Sequence, residues 1–272
     1  MLKYFYITNN PEVGRIAQEC GVDRIFVDME YIGKEKRQPN LDTVKNRHTV
    51  EDVKNLRNVL DTSELLVRVN PIHENSEKEI EDVINAGADV IMLPMFKTAD
   101  EVRQFVDFVS GQAKTLLLLE TDDAVRALDS ILEVDGIDEI HIGLNDLYLS
   151  QNKTFMFELM TDGTVDSVVE KIKDKDIPFG IGGVGAVGSR VELPAENILA
   201  EHYRLGSSMA ILARAFCDTS KITDLGEIKD IFEKGINANR IFEQFLSIQS
   251  PVFFQMKHGE TERIINDIKD RK

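Results

Sequence analysis

Cysteine is scarce in this chain, positive charge is outnumbered, and no apolar run is long. The two cysteines, Cys20 and Cys217, lie far apart and show no zinc spacing. They exclude a disulfide framework and point to reduced thiols. No apolar run approaches the ~18 residues of a membrane span, and no basic, apolar and small-residue signal opens the chain. The expectation is a cytoplasmic protein. Thirty-two Lys and Arg stand against 48 Asp and Glu, a formal net charge of −16. That balance argues against nucleic acid and anionic membrane as partners, because both select positive surface. A local positive site inside an acidic protein remains compatible with it. The five histidines are scattered and form no metal-binding tract.

What is present is alternation. Apolar runs at Lys3–Ile7, Ile25–Met29, Leu65–Val69, Val90–Leu93, Thr115–Leu119, Glu139–Ile142, Pro178–Ile181 and Ser208–Leu212 read as strands. They are rich in Val, Ile, Leu and Phe with little polar alternation, as strands covered on both faces are. Amphipathic stretches at Thr49–Leu60, Glu77–Ala86, Ala99–Val109 and Ala124–Leu132 read as the intervening helices. Gly21, Gly87 and Gly136 each close a helical pattern before a strand. The repeat of roughly 25 residues, eight times over, predicts an α/β protein of the (β/α)8 TIM-barrel class. A doubly wound open sheet is the alternative. It fits the count less well, and Thr8-Asn9-Asn10-Pro11 follows the first strand where a Gly-rich fingerprint would stand. The expected organisation is one domain over 1–272, with a barrel core of about 1–215 and a helical extension of about 219–272. Helices are expected at Leu225–Phe245 and Thr261–Lys269. The segments Tyr31–His48 and Leu147–Thr164 are long βα loops, where barrel enzymes build their sites.

Three strands end in charge: Arg68 closes the third, Glu120 the fifth, and Asp146 follows the sixth after the turn Gly143-Leu144-Asn145. Buried charges need partners or a metal. At the C-terminal rim of a barrel all three would gather. Two carboxylates and an arginine there suit a hard divalent cation, Mg²⁺ or Mn²⁺, holding a small oxyacid. Arg68 would pair with the oxyacid carboxylate; a plain salt bridge closing the barrel top is the other reading. Asp28 and Glu30 alternate toward the barrel axis at the end of the second strand. They are expected to orient Arg68 or metal-bound water, or to cap the loop and pair with Lys34 or Arg37. His48 precedes Thr49 and Asp52, which resemble a helix N-cap and its acid, and it is a candidate acid or base at the rim or a solvated loop residue. His141 is expected to face the barrel interior near Glu120. The run Gly180–Gly188 either forms an anion-binding nest or turns a tight corner.

The segments Ile25-Phe26-Val27-Asp28-Met29-Glu30, Leu66-Val67-Arg68-Val69-Asn70-Pro71, Gly87-Ala88-Asp89-Val90-Ile91-Met92-Leu93-Pro94-Met95, Leu118-Leu119-Glu120-Thr121 and Ile142-Gly143-Leu144-Asn145-Asp146-Leu147 resemble the HpcH/HpaI aldolase and citrate-lyase family of pyruvate-binding barrels. The resemblance covers roughly residues 1–215. It implies a metal-dependent carbon–carbon lyase acting on a pyruvate- or oxaloacetate-like 2-oxo acid through a metal-bound enolate, with an aldehyde or acyl partner. It implies Glu120 and Asp146 as metal ligands, Arg68 as the residue that binds substrate and steadies the enolate, and Gly143, Asn145 and Pro94 as further substrate-binding positions. An acyl-CoA lyase, a 2-oxo acid hydrolase and a non-catalytic binding barrel are its rivals. Aldolases of the family usually place a histidine where this chain has Tyr31. Members often assemble through terminal helices, which implies a homo-oligomer here.

Overall fold

The computed structural model describes residues 1–33 and 48–271; Lys34 and Arg37 lie outside the described residues. Eight parallel strands close into a barrel in sequence order. They are β1 (Lys3–Ile7), β2 (Arg24–Asp28), β3 (Glu64–Arg68), β4 (Val90–Leu93), β5 (Lys114–Leu119), β6 (Glu139–Ile142), β7 (Phe179–Val184) and β8 (Met209–Leu212). The (β/α)8 class expected from the repeat is the observed one, with extra helices after β8.

Period-two alternation divides each strand between two cores. Phe5, Phe26, Leu66, Val90, Met92, Leu116, Leu118 and Met209 pack together inside the barrel. Their neighbours Ile25, Val27, Leu65, Val67, Ile91, Leu117 and Leu119 join the layer between sheet and helices. Both faces are apolar, so the strands carry little polar alternation. Each fully buried Leu, Ile or Phe contributes about 1.5–3 kcal/mol.

The helices between strands start and stop on local chemistry. Asn10 caps α1 (Pro11–Glu19), whose Pro11 begins the helix without needing an amide partner. Thr49 and Asp52 form a reciprocal capping box on α2 (Val50–Arg57). Then come α3 (Ser76–Asn85) and α4 (Ala99–Val109), the latter boxed by Thr98 and Glu101. Gly21, Gly87 and Gly136 take φ of 90°, 101° and 88°, the left-handed turn expected behind each helix. The helix read over Ala124–Leu132 is instead two short ones, α5 (Asp122–Arg126) and α6 (Leu128–Ile131), interrupted at Ala127. After β6 come α7 (Leu144–Ser150), a 3₁₀ turn at Met156–Met160 and α8 (Thr164–Lys173). Helix α9 (Ala195–Leu205) joins β7 to β8.

Two long helices follow the barrel. Helix α10 (Leu225–Ser247) packs on α1 and fastens the first strand. The buried Glu243 accepts the Leu2 amide at 2.6 Å and the Tyr4 hydroxyl at 2.7 Å. Helix α11 (Pro251–Lys269) lies on α9, joined by Asn197 to Thr261 at 3.0 Å and His258 to Glu201 at 3.0 Å. It begins ten residues before the predicted Thr261. Val252 and Met256 keep apolar side chains in solvent, so the first half of the helix lacks the one-sided pattern that marks a surface helix.

At the N-terminal end of the barrel, Arg24 is fully buried. It donates to both oxygens of Glu139 and, at 2.6 Å, to Glu64. Its guanidinium stands 4.9 Å from the centre of the Phe5 ring. Sequence reasoning did not single out this charged floor, although Arg24 opens β2 at the same alternation as Phe26 and Asp28.

Candidate active site at the barrel mouth

At the opposite end the same alternation delivers Asp28 on β2 and Arg68 on β3, paired in register. Arg68 Nε and Nη2 each donate to an Asp28 oxygen at 2.8 Å, and Nη1 lies 3.5 Å from Glu30 Oε2. Asp28 and Glu30 are both buried. Burial alone would lower the Arg68 pKa, but Asp28, Glu30 and Glu120 more than reverse it, and the guanidinium stays charged. Asp28 occupies the Nε side of the fork. Glu30 flanks Nη1, so the guanidinium is held by carboxylates on two sides where it lines the cavity.

Glu120 continues the inward alternation one residue beyond β5. One of its oxygens accepts the Met95 amide at 3.1 Å. Met95 adopts φ of 57° to reach it, a conformation that a non-glycine residue holds only at a cost of about 1–3 kcal/mol. The other oxygen lies against Gly143. A Cβ there would fall 2.9 Å from Glu120 Cβ and 3.0 Å from its Oε2. Strand β6 stops at Ile142, so Asp146 sits in the first turn of α7, three residues past the Gly143 cap. Glu120 and Asp146 therefore flank Gly143 on one cavity. Among the described residues no three His, Cys, Asp or Glu side chains gather into a metal-holding group. Two carboxylates with room for water and substrate oxygens are nevertheless the donor set Mg²⁺ takes, and the residues present fit such a cation.

The other expected positions separate. His48 lines the cavity, and its Nδ1 accepts the Asp28 amide at 3.0 Å. Its proton therefore sits on Nε2 when the ring is neutral. His141 is fully buried inside the barrel, and its Nε2 donates to the Gly182 carbonyl at 3.0 Å. Burial pushes its pKa down to about 4, and it is neutral at pH 7. Asn145 and Gly143 line the cavity; Pro94 is buried after β4 and is not among the lining residues. Tyr31 is 65% exposed, outside that lining.

Asn70 was quoted only as part of a motif, yet it organises the rim. Its Oδ1 accepts the amides of Tyr31 and Ile32, both at 3.0 Å, and its Nδ2 donates to Glu79 at 2.7 Å. The segment after Glu30 is thereby fixed to β3 and α3. No sequence signal marked it, because its near-complete burial and its partners emerge only in the fold.

The cavity measures about 770 Å³. Asp28, Glu30, His48, Arg68, Glu120 and Asp146 form one charged and titratable group in its lining. Phe155, Met156, Phe157, Leu193 and Ile198 from later segments make an apolar wall, and Arg190, Glu192, Arg214 and Asp218 also line the cavity. No described helix is long and apolar enough to cross a membrane.

Residues 2–155, from β1 through the start of this wall, match the family model described as HpcH/HpaI aldolase/citrate lyase. A hydroxypyruvate/pyruvate aldolase of Roseovarius nubinhibens is 28% identical over 125 residues, 35% of this chain and 46% of that protein. A 2-keto-3-deoxy-L-rhamnonate aldolase of Salmonella paratyphi B is 27% identical over 168 residues, 51% of this chain and 57% of that one. The chain thus spans about half the length of these curated relatives. Among solved structures, an HpcH/HpaI aldolase of Desulfitobacterium hafniense superposes with a TM-score of 0.62 at 17% identity, covering 84% of this chain and 93% of that one. The citrate synthase SbnG superposes at 0.61, also at 17% identity, over 84% and 94%. These likenesses share the barrel. With more than half of its length matched by the family model, and with Arg68, Glu120 and Asp146 meeting at one mouth, the chain belongs to the HpcH/HpaI aldolase/citrate lyase family.

Proposed function

We propose that this protein is a divalent-cation-dependent carbon–carbon lyase of the aldolase type, acting on a pyruvate- or oxaloacetate-like 2-oxo acid. The observation that carries the reading is Arg68, fixed by Asp28 and Glu30, lining the same cavity as Glu120 and Asp146. Glu120 and Asp146 would hold Mg²⁺ or Mn²⁺. When bound, the cation supplies Lewis acidity to the oxo acid. Arg68 binds the substrate carboxylate and keeps fixed positive charge beside the oxygen that turns negative as the enolate forms. Asp28 and Glu30 hold that guanidinium in place, so no reorganisation is needed at the moment of reaction. His48 presents Nε2–H, because Asp28 already occupies Nδ1. It would act as a hydrogen-bond donor or acid toward a substrate oxygen; acting as a base would first require the Asp28 amide to let go.

The aldehyde or acyl partner would occupy the rest of the cavity. The same reading makes the α10–α11 junction, with Ile248 81% and Met256 71% exposed, the face on which a second copy packs.

Calorimetric titration of the metal-stripped protein with Mn²⁺ and then oxalate, an enolate mimic, tests the reading. Oxalate is expected to bind only after Mn²⁺. Glu120→Gln is expected to abolish that binding, and Arg68→Ala to weaken it about 100-fold, the loss of one charged bidentate contact. Oxalate binding that ignores Mn²⁺ and Glu120, or fails altogether, would sink the lyase reading.

A further inference from the structure

Glu158 is a buried acid in the segment Phe155-Met156-Phe157-Glu158-Leu159-Met160. Its Oε1 accepts the amides of Thr154 at 3.0 Å and Phe155 at 2.7 Å, and the Thr154 hydroxyl at 2.8 Å. Its Oε2 meets Lys269 Nζ at 2.8 Å, near the end of α11. Burial works against the charge, but Lys269, Thr154 and Phe155 outweigh it and hold the carboxyl down at about 2. This one side chain shapes the turn from within and fastens it to a helix that enters the chain a hundred residues later.

The turn is the apolar wall of the cavity. Phe155 and Phe157 stack edge to face with centroids 5.4 Å apart, and with Met156 they line the space shared with Arg68 and Glu120. On the proposed lyase reading the 2-oxo acid unit is held by Arg68, Glu120 and Asp146. The wall offers no hydrogen-bonding side chain, so what it favours is apolar surface leaving water.

We propose that Phe155, Met156 and Phe157 select a carbonyl partner bearing an apolar group, and that Lys269 is the positioning residue that keeps this wall in place through Glu158. The inference rests on the reading of the cavity as a 2-oxo acid site. Without Lys269, Oε2 would be left buried with its strongest partner gone. The carboxylate would turn toward water and draw Thr154 and Phe155 with it.

The chain contains no tryptophan, so Met156→Trp places a single fluorescent reporter in the wall. Hexan-1-ol, an unreactive apolar probe, is expected to shift its emission to the blue, and ethane-1,2-diol to leave it unchanged. Adding Lys269→Ala is expected to move the unliganded emission to the red and to weaken hexanol binding about tenfold, the scale of one or two misplaced methylene contacts. Lys269→Arg is expected to restore both. Glu158→Gln, which keeps an acceptor for Thr154 and Phe155 but removes the charge Lys269 meets, is expected to give the same red shift by a second route. Identical emission and hexanol affinity with and without Lys269 would overturn the positioning role. Equal response to hexanol and diol would overturn the apolar preference. Both readouts are independent of Mn²⁺ and oxalate, so a failed lyase reading and a failed wall are told apart.

Discussion

Gly180 shows how one residue's missing side chain makes room for another's ring. A Cβ there would fall 2.3 Å from His141 Nδ1 and from Met209 Cγ, and 2.8 Å from the Met209 carbonyl oxygen. The backbone oxygen cannot yield. Gly180→Ala is expected to destabilise the fold by about 1–3 kcal/mol or more, the cost of overpacking a filled core, read as a lower urea midpoint with an unchanged slope. An unchanged midpoint would mean that the β7–β8 backbone and both side chains give way at little cost. The glycine run Gly180–Gly188 was legible as a run but not in its reason. Gly180 and Gly182 lie within β7 and clear space for His141 and Leu144, and no spacing rule announces which side chain from another strand will need it. Arg68, Glu120 and Asp146 were legible because a charge at the end of an apolar run stands out in the sequence. Asn70 and Met95 were not. Their roles are a pair of accepted amides and a left-handed φ, and both depend on partners far along the chain.

The elements that read well were those whose pattern was set by one environment. All eight strands were placed within a few residues, because burial on both faces leaves an uninterrupted apolar run. The helices that read poorly were short or two-sided. Helix α7 hides in the Leu-rich stretch after β6, and α11 carries apolar residues on the face that the barrel does not cover. That second failure is informative. Phe245, Ile248, Val252 and Met256 cluster where α10 turns into α11, all of them exposed, and Phe245 packs edge to face on Phe253. Contiguous exposed apolar surface of this kind marks contact sites. Sedimentation velocity is expected to find the protein as a dimer or larger assembly, and Ile248→Lys with Met256→Lys to shift it to monomer. A wild-type monomer at micromolar concentration would refute self-association through this hairpin.

The whole molecule answers to pH through its interior histidines. Desolvation lowers His141 to about 4 and His202, on α9, to about 3 from an ordinary 6.5. Below pH 6.5 the unfolded chain takes up protons that these buried rings refuse. Stability therefore falls as pH drops from about 6.5 toward 3, by about 3–5 kcal/mol per histidine when complete. Carboxyls held low by their partners, Glu158 at about 2 among them, add to the loss only at lower pH. Urea unfolding at pH 7 and pH 5 is expected to show a lower midpoint at pH 5, and His202→Gln to shrink the difference by about half. A pH-independent midpoint over this range would contradict the buried, neutral rings.

The charged floor around Arg24 also governs traffic. Arg24, Glu139 and the fully buried Phe5 and Phe26 above them seal the N-terminal end of the barrel. Among the described residues the barrel is thus filled at this end, and the charged cavity lies at the other. On the proposed lyase reading, both reactants would enter and the product would leave by that same mouth.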